Sequence, residues 1–155
     1  MKKDTSKPAV ATAMLVNDDA TQLSMLSGLV RKAGLEPLPF TGAEAALDAM
    51  DREHPPALIV TDLYMPDIDG WRFCRLLRST EYAAFNKIPI LVVSAIFAGD
   101  EPDRIAADLG ADAFLSSPVD GKRFVAQVRA ILRGERKPTS LRVLIVEDSK
   151  TLAGI

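Results

Sequence analysis

Short apolar segments alternate with amphipathic segments along most of this chain. Runs with the length and composition of buried strands occupy residues 13–16, 36–40, 57–61, 88–93 and 113–116. Between these runs, apolar residues recur at the three- and four-residue spacing of helices. Alternating strands and helices of this kind predict βα units that build a parallel sheet, so the chain is expected to have an α/β fold.

The spacing also predicts where individual helices begin and which side chains they bury. The first helix carries Leu23, Leu26 and Val30 on one face, and the third begins after Asp69, a suitable N-cap residue. The predicted inward stripe of the last helix consists of Phe124, Val125, Val128, Ile131 and Leu132. Residues 79–87 are expected to form a loop.

Composition and charge narrow the class of protein. The chain has 155 residues, 48% of them hydrophobic and 26% charged, which suits one globular α/β domain. A net charge of −2 argues against a general nucleic-acid binder. No apolar run reaches the roughly 18 residues that span a bilayer, so a cytoplasmic location is expected. Cys74 is predicted to be a reduced core residue and His54 a surface loop residue.

Polar side chains follow several of the predicted strands. In an open α/β sheet the ligand site lies at the carboxyl ends of the strands. The residues at these ends are Asn17, Asp18, Asp19, Asp62, Ser94, Ser116 and Ser117. Converging carboxylates need a positive partner, and Mg²⁺ with oxygen ligands fits best. Asp62 can coordinate such an ion and attack a phosphorus centre, or it can simply cap a loop.

Four stretches resemble the receiver domains of two-component response regulators. They read LVNDD, IVTDLYMPDIDGW, PILVVSA and GADAFLSSPVD, in the family's order and spacing. The resemblance covers about residues 11–132. It implies a (βα)5 doubly wound five-stranded parallel sheet of the flavodoxin-like, CheY-like type, with strand order 2-1-3-4-5.

The resemblance also assigns roles to particular residues. It implies that Asp62 is the phosphoacceptor and that Mg²⁺ is held by Asp18, Asp62 and the backbone carbonyl of Tyr64. Ser94 matches the residue whose hydroxyl meets the phosphoryl group. Phe114 takes the place of the switch aromatic, which turns inward when that hydroxyl is drawn to the phosphate.

Two positions depart from the family pattern. Asn17 replaces the first acid of the usual pair, and is expected to bind Mg²⁺ indirectly or weakly. Ser117 replaces the lysine that normally precedes the proline after the fifth strand, here Pro118, whose preceding peptide bond the resemblance implies to be cis. A serine offers a hydroxyl without the charge. Lys122 or Arg123 can supply that charge only by reaching in from the last helix.

The leading reading is a phosphorylation-dependent signalling switch, not an enzyme. A sensor histidine kinase or phosphotransfer protein donates to Asp62, and the face of the fourth helix, fifth strand and fifth helix binds a downstream protein. No direct nucleic-acid or membrane contact is expected, and the sequence leaves open whether the chain forms a homodimer. The alternative is a degenerate receiver that binds partners without phosphorylation, as Asn17 and Ser117 suggest. Haloacid-dehalogenase-type and flavodoxin readings fail because their D-x-D and Ser/Thr-rich loops are missing.

The two ends of the chain are expected to lie outside this domain. Residues 1–10 are predicted to be an N-terminal tail, 11–133 the receiver domain and 134–140 a polar linker. Residues 141–155, LRVLIVEDSKTLAGI, resemble the first strand and helix start of a second receiver, with Glu147 and Asp148 as its acid pair.

Overall fold

The computed structural model describes residues 10–95 and 99–134. The predicted tail up to residue 9, the linker after Gly134 and the predicted second-receiver segment 141–155 lie outside the described residues. In the described part, every helix is too short or too polar to cross a membrane.

Strands and helices alternate in the predicted order. The strands are β1 Thr12–Val16, β2 Glu36–Phe40, β3 Leu58–Thr61, β4 Ile90–Ser94 and β5 Ala113–Ser116. The helices are α1 Ala20–Lys32, α2 Ala43–Asp48, α3 Gly70–Leu77, α4 Pro102–Leu109 and α5 Gly121–Leu132. All strand pairs are parallel, and the order β2-β1-β3-β4-β5 confirms the predicted doubly wound sheet.

Helices cover both faces of the sheet and create two hydrophobic layers. Alternate side chains of β1 point to opposite faces, so Met14 and Val16 join one layer while Ala13 and Leu15 join the other. The central strands are buried on both sides, which explains why β3 and β4 are almost continuously apolar.

Two predicted details differ from the structure. Residues 79–87, expected to be a loop, contain a 3₁₀ helix, Thr80–Phe85, whose last residue is buried. The Asn86 amide nitrogen closes this segment by donating to the carbonyls of Leu77, Ser79 and Tyr82. Leu132 is 41% exposed, because it is the last residue of α5.

Strand β2 accommodates two prolines because it lies at the edge of the sheet. The Glu36 amide points toward the neighbouring strand β1 and donates to the carbonyl of Ala11, the residue before it. Because strand backbones alternate, Pro37 and Pro39 occupy the outward-facing positions, where an amide donor is not needed for pairing. Their missing N–H groups also protect this edge from accepting another strand.

Candidate functional site

Five of the seven polar residues predicted at the strand ends line one cavity of about 260 Å³, and the other two, Ser94 and Ser116, are not among its lining residues. The cavity lies at the carboxyl ends of the central strands. The strand order reverses here, because the chain runs from β1 to β2 on one side and then returns to β3 on the other side of β1. Its lining residues are Asn17, Asp18, Asp19, Gln22, Asp62, Tyr64, Val93, Ala95 and Ser117. The sheet therefore brings together side chains separated by as many as a hundred residues of sequence.

Asp62 is half-buried immediately after β3 and is held through one carboxylate oxygen. Its Oδ1 accepts hydrogen bonds from the amide of Leu63 at 2.6 Å, the hydroxyl of Ser94 at 2.5 Å and the amide of Tyr64 at 3.4 Å. No described residue donates to Oδ2. The carboxylate is thus oriented by Oδ1, while Oδ2 stays available to a ligand.

The backbone behind Asp62 depends on a glycine at the start of α3. A Cβ at Gly70 would lie 2.1 Å from the Asp62 carbonyl oxygen and 2.6 Å from the Leu63 Cα. The Gly70 amide donates to the Leu63 carbonyl at 2.9 Å. Asp69, the predicted N-cap of α3, accepts from the Arg72 amide at 2.9 Å. Only glycine allows α3 to approach the acceptor loop this closely.

The loop after β1 is built by two successive side-chain turns. Asn17 is 4% exposed, and its Oδ1 accepts a hydrogen bond from the Asp19 amide at 2.8 Å. Asp19 in turn caps α1, since its Oδ1 accepts from the amides of Thr21 and Gln22. Asp18 lies exposed between them. Asp19 therefore neutralises the positive end of a helix, in addition to lining the cavity.

The charges of the cavity are not balanced by its own side chains. Three carboxylates line it, and its lining residues include no lysine, arginine or histidine. Ser117 occupies the position of the usual lysine. Lys122 lines a separate cavity between α1 and α5, and Arg123 lines another beside Phe114. The structure thus gives no support to the expectation that either cation reaches the site.

The donor atoms available in the cavity suit Mg²⁺. The side chains of Asp18 and Asp62 offer oxygen atoms, and so does the backbone of Tyr64. Within residues 10–95 and 99–134, no three His, Cys, Asp or Glu residues form a group that can hold a metal. Mg²⁺ keeps several waters and needs just one or two carboxylates, so this sparse, uncompensated set fits that ion.

The strand pairing of β4 with β5 connects the site to the predicted switch residue. Ser94 lies opposite Ser116, and Val92 lies opposite Phe114. Phe114 is 7% exposed and packs in the layer that includes α3 and α4. The Ser117 amide donates to the Ser94 carbonyl at 2.9 Å.

The peptide bond between Ser117 and Pro118 is cis. The resemblance to receiver domains implied a cis peptide bond before Pro118, which lies two residues after the end of β5, and the structure matches it.

Sequence reasoning did not single out Gln22. This half-buried residue lies three positions after the N-cap of α1 and lines the cavity. The sequence did contain a signal for Gln22, because it lies in the first turn of the helix that directly follows β1. Such a turn must lie beside the carboxyl end of that strand. None of the described residues forms a hydrogen bond with the side-chain amide of Gln22.

Two residues set aside from the chemistry do not line the cavity. His54 is exposed, and its Nδ1 lies 2.9 Å from Oδ2 of Asp51. This hydrogen bond is the main reason that the pKa of Asp51 is lowered. Cys74 is buried in α3, and burial raises the pKa of its thiol to about 12. Both predictions are confirmed.

Comparison with known proteins agrees with this geometry. The family model for the response regulator receiver domain matches residues 13–129. The probable transcriptional regulator ycf27 of Cyanophora paradoxa is 33% identical, over 81% of this chain and 50% of its own length. Transcriptional regulatory protein AfsQ1 of Streptomyces coelicolor is 34% identical, over 88% of this chain and 59% of its own. The chain spans about half the length of the curated relatives it matches.

Solved structures show the same fold. A putative response regulator from Chloroflexus aurantiacus superposes with a TM-score of 0.69 at 30% identity, covering 81% of this chain and 99% of that one. Chemotaxis protein CheY4 of Vibrio cholerae, at 20% identity, has a TM-score of 0.69 over 79% of this chain and 99% of its own. The strand order, the aspartate at the end of β3 and the match over most of the chain together show that this protein belongs to the family of response regulator receiver domains.

Proposed function

We propose that this chain is a phosphoacceptor domain of a two-component phosphorelay. Asp62 takes a phosphoryl group from the phosphohistidine of a sensor histidine kinase or a phosphotransfer protein in the cytoplasm. The observation that carries the proposal is the asymmetry of Asp62, whose Oδ1 is held by three donors while Oδ2 accepts none from the described residues. An anchored carboxylate with one unengaged oxygen is suited to act as a nucleophile.

The transfer itself is an in-line displacement at phosphorus. Asp62 Oδ2 attacks the phosphorus atom, a P–O bond forms, and the P–N bond to the donor histidine breaks with its electron pair leaving on the imidazole. The donors to Oδ1 keep the attacking oxygen in place. Ser94, whose hydroxyl lies 2.5 Å from Asp62, is close enough to donate to the transferred group.

Asp18, Asp62 and the backbone carbonyl of Tyr64 would hold Mg²⁺, which supplies positive charge against the phosphoryl oxygens when bound. Asp18 is exposed at the cavity rim, so its carboxylate is accessible from solvent. Ala95 also lines the cavity and is small, which leaves the approach to Asp62 open.

The output surface is proposed to be the face of α4, β5 and α5. A cavity of about 200 Å³ on this face is lined by Phe114, Arg123 and neighbouring residues of α4, β5 and α5. Phosphorylation favours one arrangement of this face only if the phosphoryl group makes different contacts in the two states. The Ser94 hydroxyl provides such a contact, and Phe114 turns inward when that hydroxyl is drawn to the phosphoryl group. The receptor of the signal is a downstream protein. The domain itself is proposed to be a signalling module without a separate enzymatic substrate.

Intact-mass spectrometry tests the proposal. The purified chain is incubated with Mg²⁺ and acetyl phosphate, whose P–O bond takes the place of the histidine P–N bond. Wild type is expected to gain the mass of one phosphoryl group, and Asp62→Asn none. Asp67→Asn is a matched control on the same loop, because Asp67 is exposed and has φ of 65°, which asparagine tolerates. This control should gain the group as wild type does.

A second candidate function is a binding module that works without phosphate. The absence of any cation among the residues that line the cavity, with Ser117 in the lysine position, favours it. If wild type gains no phosphoryl group with Mg²⁺ and either acetyl phosphate or its cognate kinase, this second function replaces the first.

A further inference from the structure

The side chain of Asn17 presents a hydrogen-bond donor to the cavity, and its chemistry differs from that of the acid it replaces. We infer that the Asn17 amide nitrogen binds a phosphoryl oxygen of the group on Asp62, instead of serving as a magnesium ligand. This inference rests on the proposed phosphoacceptor function. It assigns to Asn17 part of the role that a lysine at position 117 would have.

The orientation of the Asn17 amide follows from its hydrogen bond. The Asp19 backbone amide is a donor, so the atom that it meets at 2.8 Å must be the oxygen of the Asn17 side chain. The nitrogen therefore points away from this turn. Asn17 is 96% removed from solvent and lines the same cavity as Asp62. No described residue accepts a hydrogen bond from its nitrogen, which leaves this donor available to an acceptor that enters the cavity.

Several backbone donors near the cavity are already engaged. The amides of Thr21 and Gln22 at the start of α1 both donate to Asp19. The amide of Ser117 donates to the Ser94 carbonyl. The Asn17 nitrogen is thus a donor, on a largely buried residue that lines the cavity, that remains open to an anion, and phosphoryl oxygens are strong acceptors.

The two departures from the family pattern also offset each other in charge. Replacing an acid by Asn17 removes one negative charge, and replacing a lysine by Ser117 removes one positive charge. The net formal charge of the cavity is therefore the same with both changes as with neither. An acid at position 17 would have left the phosphoryl group facing one more carboxylate with no lysine to balance it.

The substitution Asn17→Asp separates the donor role from a ligand role by the sign of its effect. Aspartate keeps the size of the side chain and an oxygen for the Asp19 amide, but it loses the N–H donors and adds a charge. If Asn17 is a weak metal ligand, affinities for Mg²⁺ and for a phosphoryl analogue both rise. If Asn17 is a phosphoryl donor, Mg²⁺ affinity rises while analogue affinity falls.

Isothermal titration calorimetry measures both affinities. The full chain is titrated with Mg²⁺ alone, and then with beryllofluoride, a phosphoryl analogue, at saturating Mg²⁺. Asn17→Asp is expected to weaken beryllofluoride binding by about tenfold or more, as for the loss of a hydrogen bond to a charged group. Ser24→Asp adds the same charge on an exposed position of α1 and should change beryllofluoride affinity by less than about twofold.

A second pair of variants protects the test against a folding defect. Ser117→Lys and Asn17→Asp/Ser117→Lys are titrated in the same way, and thermal unfolding checks that each variant is folded. Because lysine supplies a replacement cation, the loss caused by Asn17→Asp should shrink in the Ser117→Lys background. An Asn17→Asp protein that binds both ligands more tightly overturns the inference alone. A wild type that binds no beryllofluoride overturns the phosphoacceptor function and the inference with it.

Discussion

Asp62 and Asp112 are two aspartates at opposite ends of the same sheet, and their surroundings differ. Asp112, at the amino end of β5, is 9% exposed. Its Oδ2 accepts from the Ile90 amide at 2.8 Å and lies 3.4 Å from Arg78 Nη2. Asp62 accepts from two amides and a hydroxyl, and no cation lines its cavity. One carboxylate has a charged partner, while the other has neutral donors alone.

We expect this difference to separate a structural carboxylate from the proposed phosphoacceptor. Arg78 also donates from Nε to the Gly110 carbonyl at 2.9 Å, so with Asp112 it ties the end of α3 to β4 and to the turn before β5. A buried charge that is paired in this way contributes to folding, and breaking the pair is costly. An unbalanced carboxylate contributes less to folding but is poised to bind a cation or a phosphoryl group.

The largest expected effect is on the backbone that supports Asp62. Gly70→Ala should lower the free energy of unfolding by about 3 kcal/mol, because its Cβ would overlap the Asp62 carbonyl oxygen. Gly28→Ala is the control, since nothing lies within 4 Å of its added Cβ and the position is helical. It should gain about 0.5–1 kcal/mol. Urea denaturation measures both, and equal changes would contradict the close approach of α3.

A matched pair of substitutions tests the contrast between the two aspartates directly. Asp112→Asn should lose about 1.5 kcal/mol of unfolding free energy by removing the charge beside Arg78, yet still gain a phosphoryl group at Asp62. Asp62→Asn should lose the phosphoryl gain and change stability by less than about 0.5 kcal/mol. Denaturation and intact mass measure the two properties. A comparable loss of stability in both proteins would remove the distinction.

The hydroxyl of Ser94 should matter more for phosphorylation than that of its neighbour across β4 and β5. Ser94→Ala is expected to slow phosphorylation by about tenfold, because its donor to Asp62 and to the incoming group is lost. Ser116→Ala changes the exposed residue paired with it in the sheet and should have little effect. Rates of mass gain with acetyl phosphate compare the two. Similar slowing in both would point to strand pairing as the cause.

The smallest effect is expected at Cys74. Among the described residues, its buried thiol has neither a charged hydrogen-bond partner, as Asp112 has, nor neutral donors, as Asp62 has. Burial raises the pKa of its thiol to about 12 from 9.0, so it stays protonated in the folded protein. Iodoacetamide should add no mass at pH 8 under native conditions and should add one group in denaturant. Because the unfolded thiol ionises first, its contribution to stability is complete below pH 9.0 and declines as pH rises above that value. Native labelling at neutral pH would contradict this burial.

Most of the fold could be predicted because local and global signals agree. The apolar runs located the five strands to within two residues, and the helical spacings placed the α-helices between them. Asp69 was recognised as the N-cap of the third helix from residue chemistry, and it occupies that position. The 3₁₀ helix Thr80–Phe85 was missed because its stability depends on Asn86 contacting three carbonyls, which no periodic pattern reveals. The exposure of Leu132 was missed because spacing defines a stripe without showing where the sheet beneath it ends.

The sequence predicted which residues share the candidate site better than it predicted the positions of the side chains around them. Asp18, Asp62 and Ser117 were expected together because parallel strands end at one edge, and they share a cavity. Lys122 and Arg123 were considered as replacements for the missing lysine. Their positions depended on how α5 packs against α1 and β5, and the structure places them in other cavities.

The sequence by itself determined the α/β class and the order of elements, and it pointed to Asp62 as the proposed acceptor, since these follow from periodicity and from motifs of residues that are close in the chain. The tertiary structure alone decided which atom of Asn17 accepts the Asp19 amide and which aspartate has a cation beside it. Those properties depend on hydrogen bonds and packing between segments distant in sequence, as in the pairing of Arg78 with Asp112. The direction of a side chain and the identity of its partners are properties of the assembled sheet, and they distinguish the proposed phosphoacceptor from the carboxylate paired with Arg78.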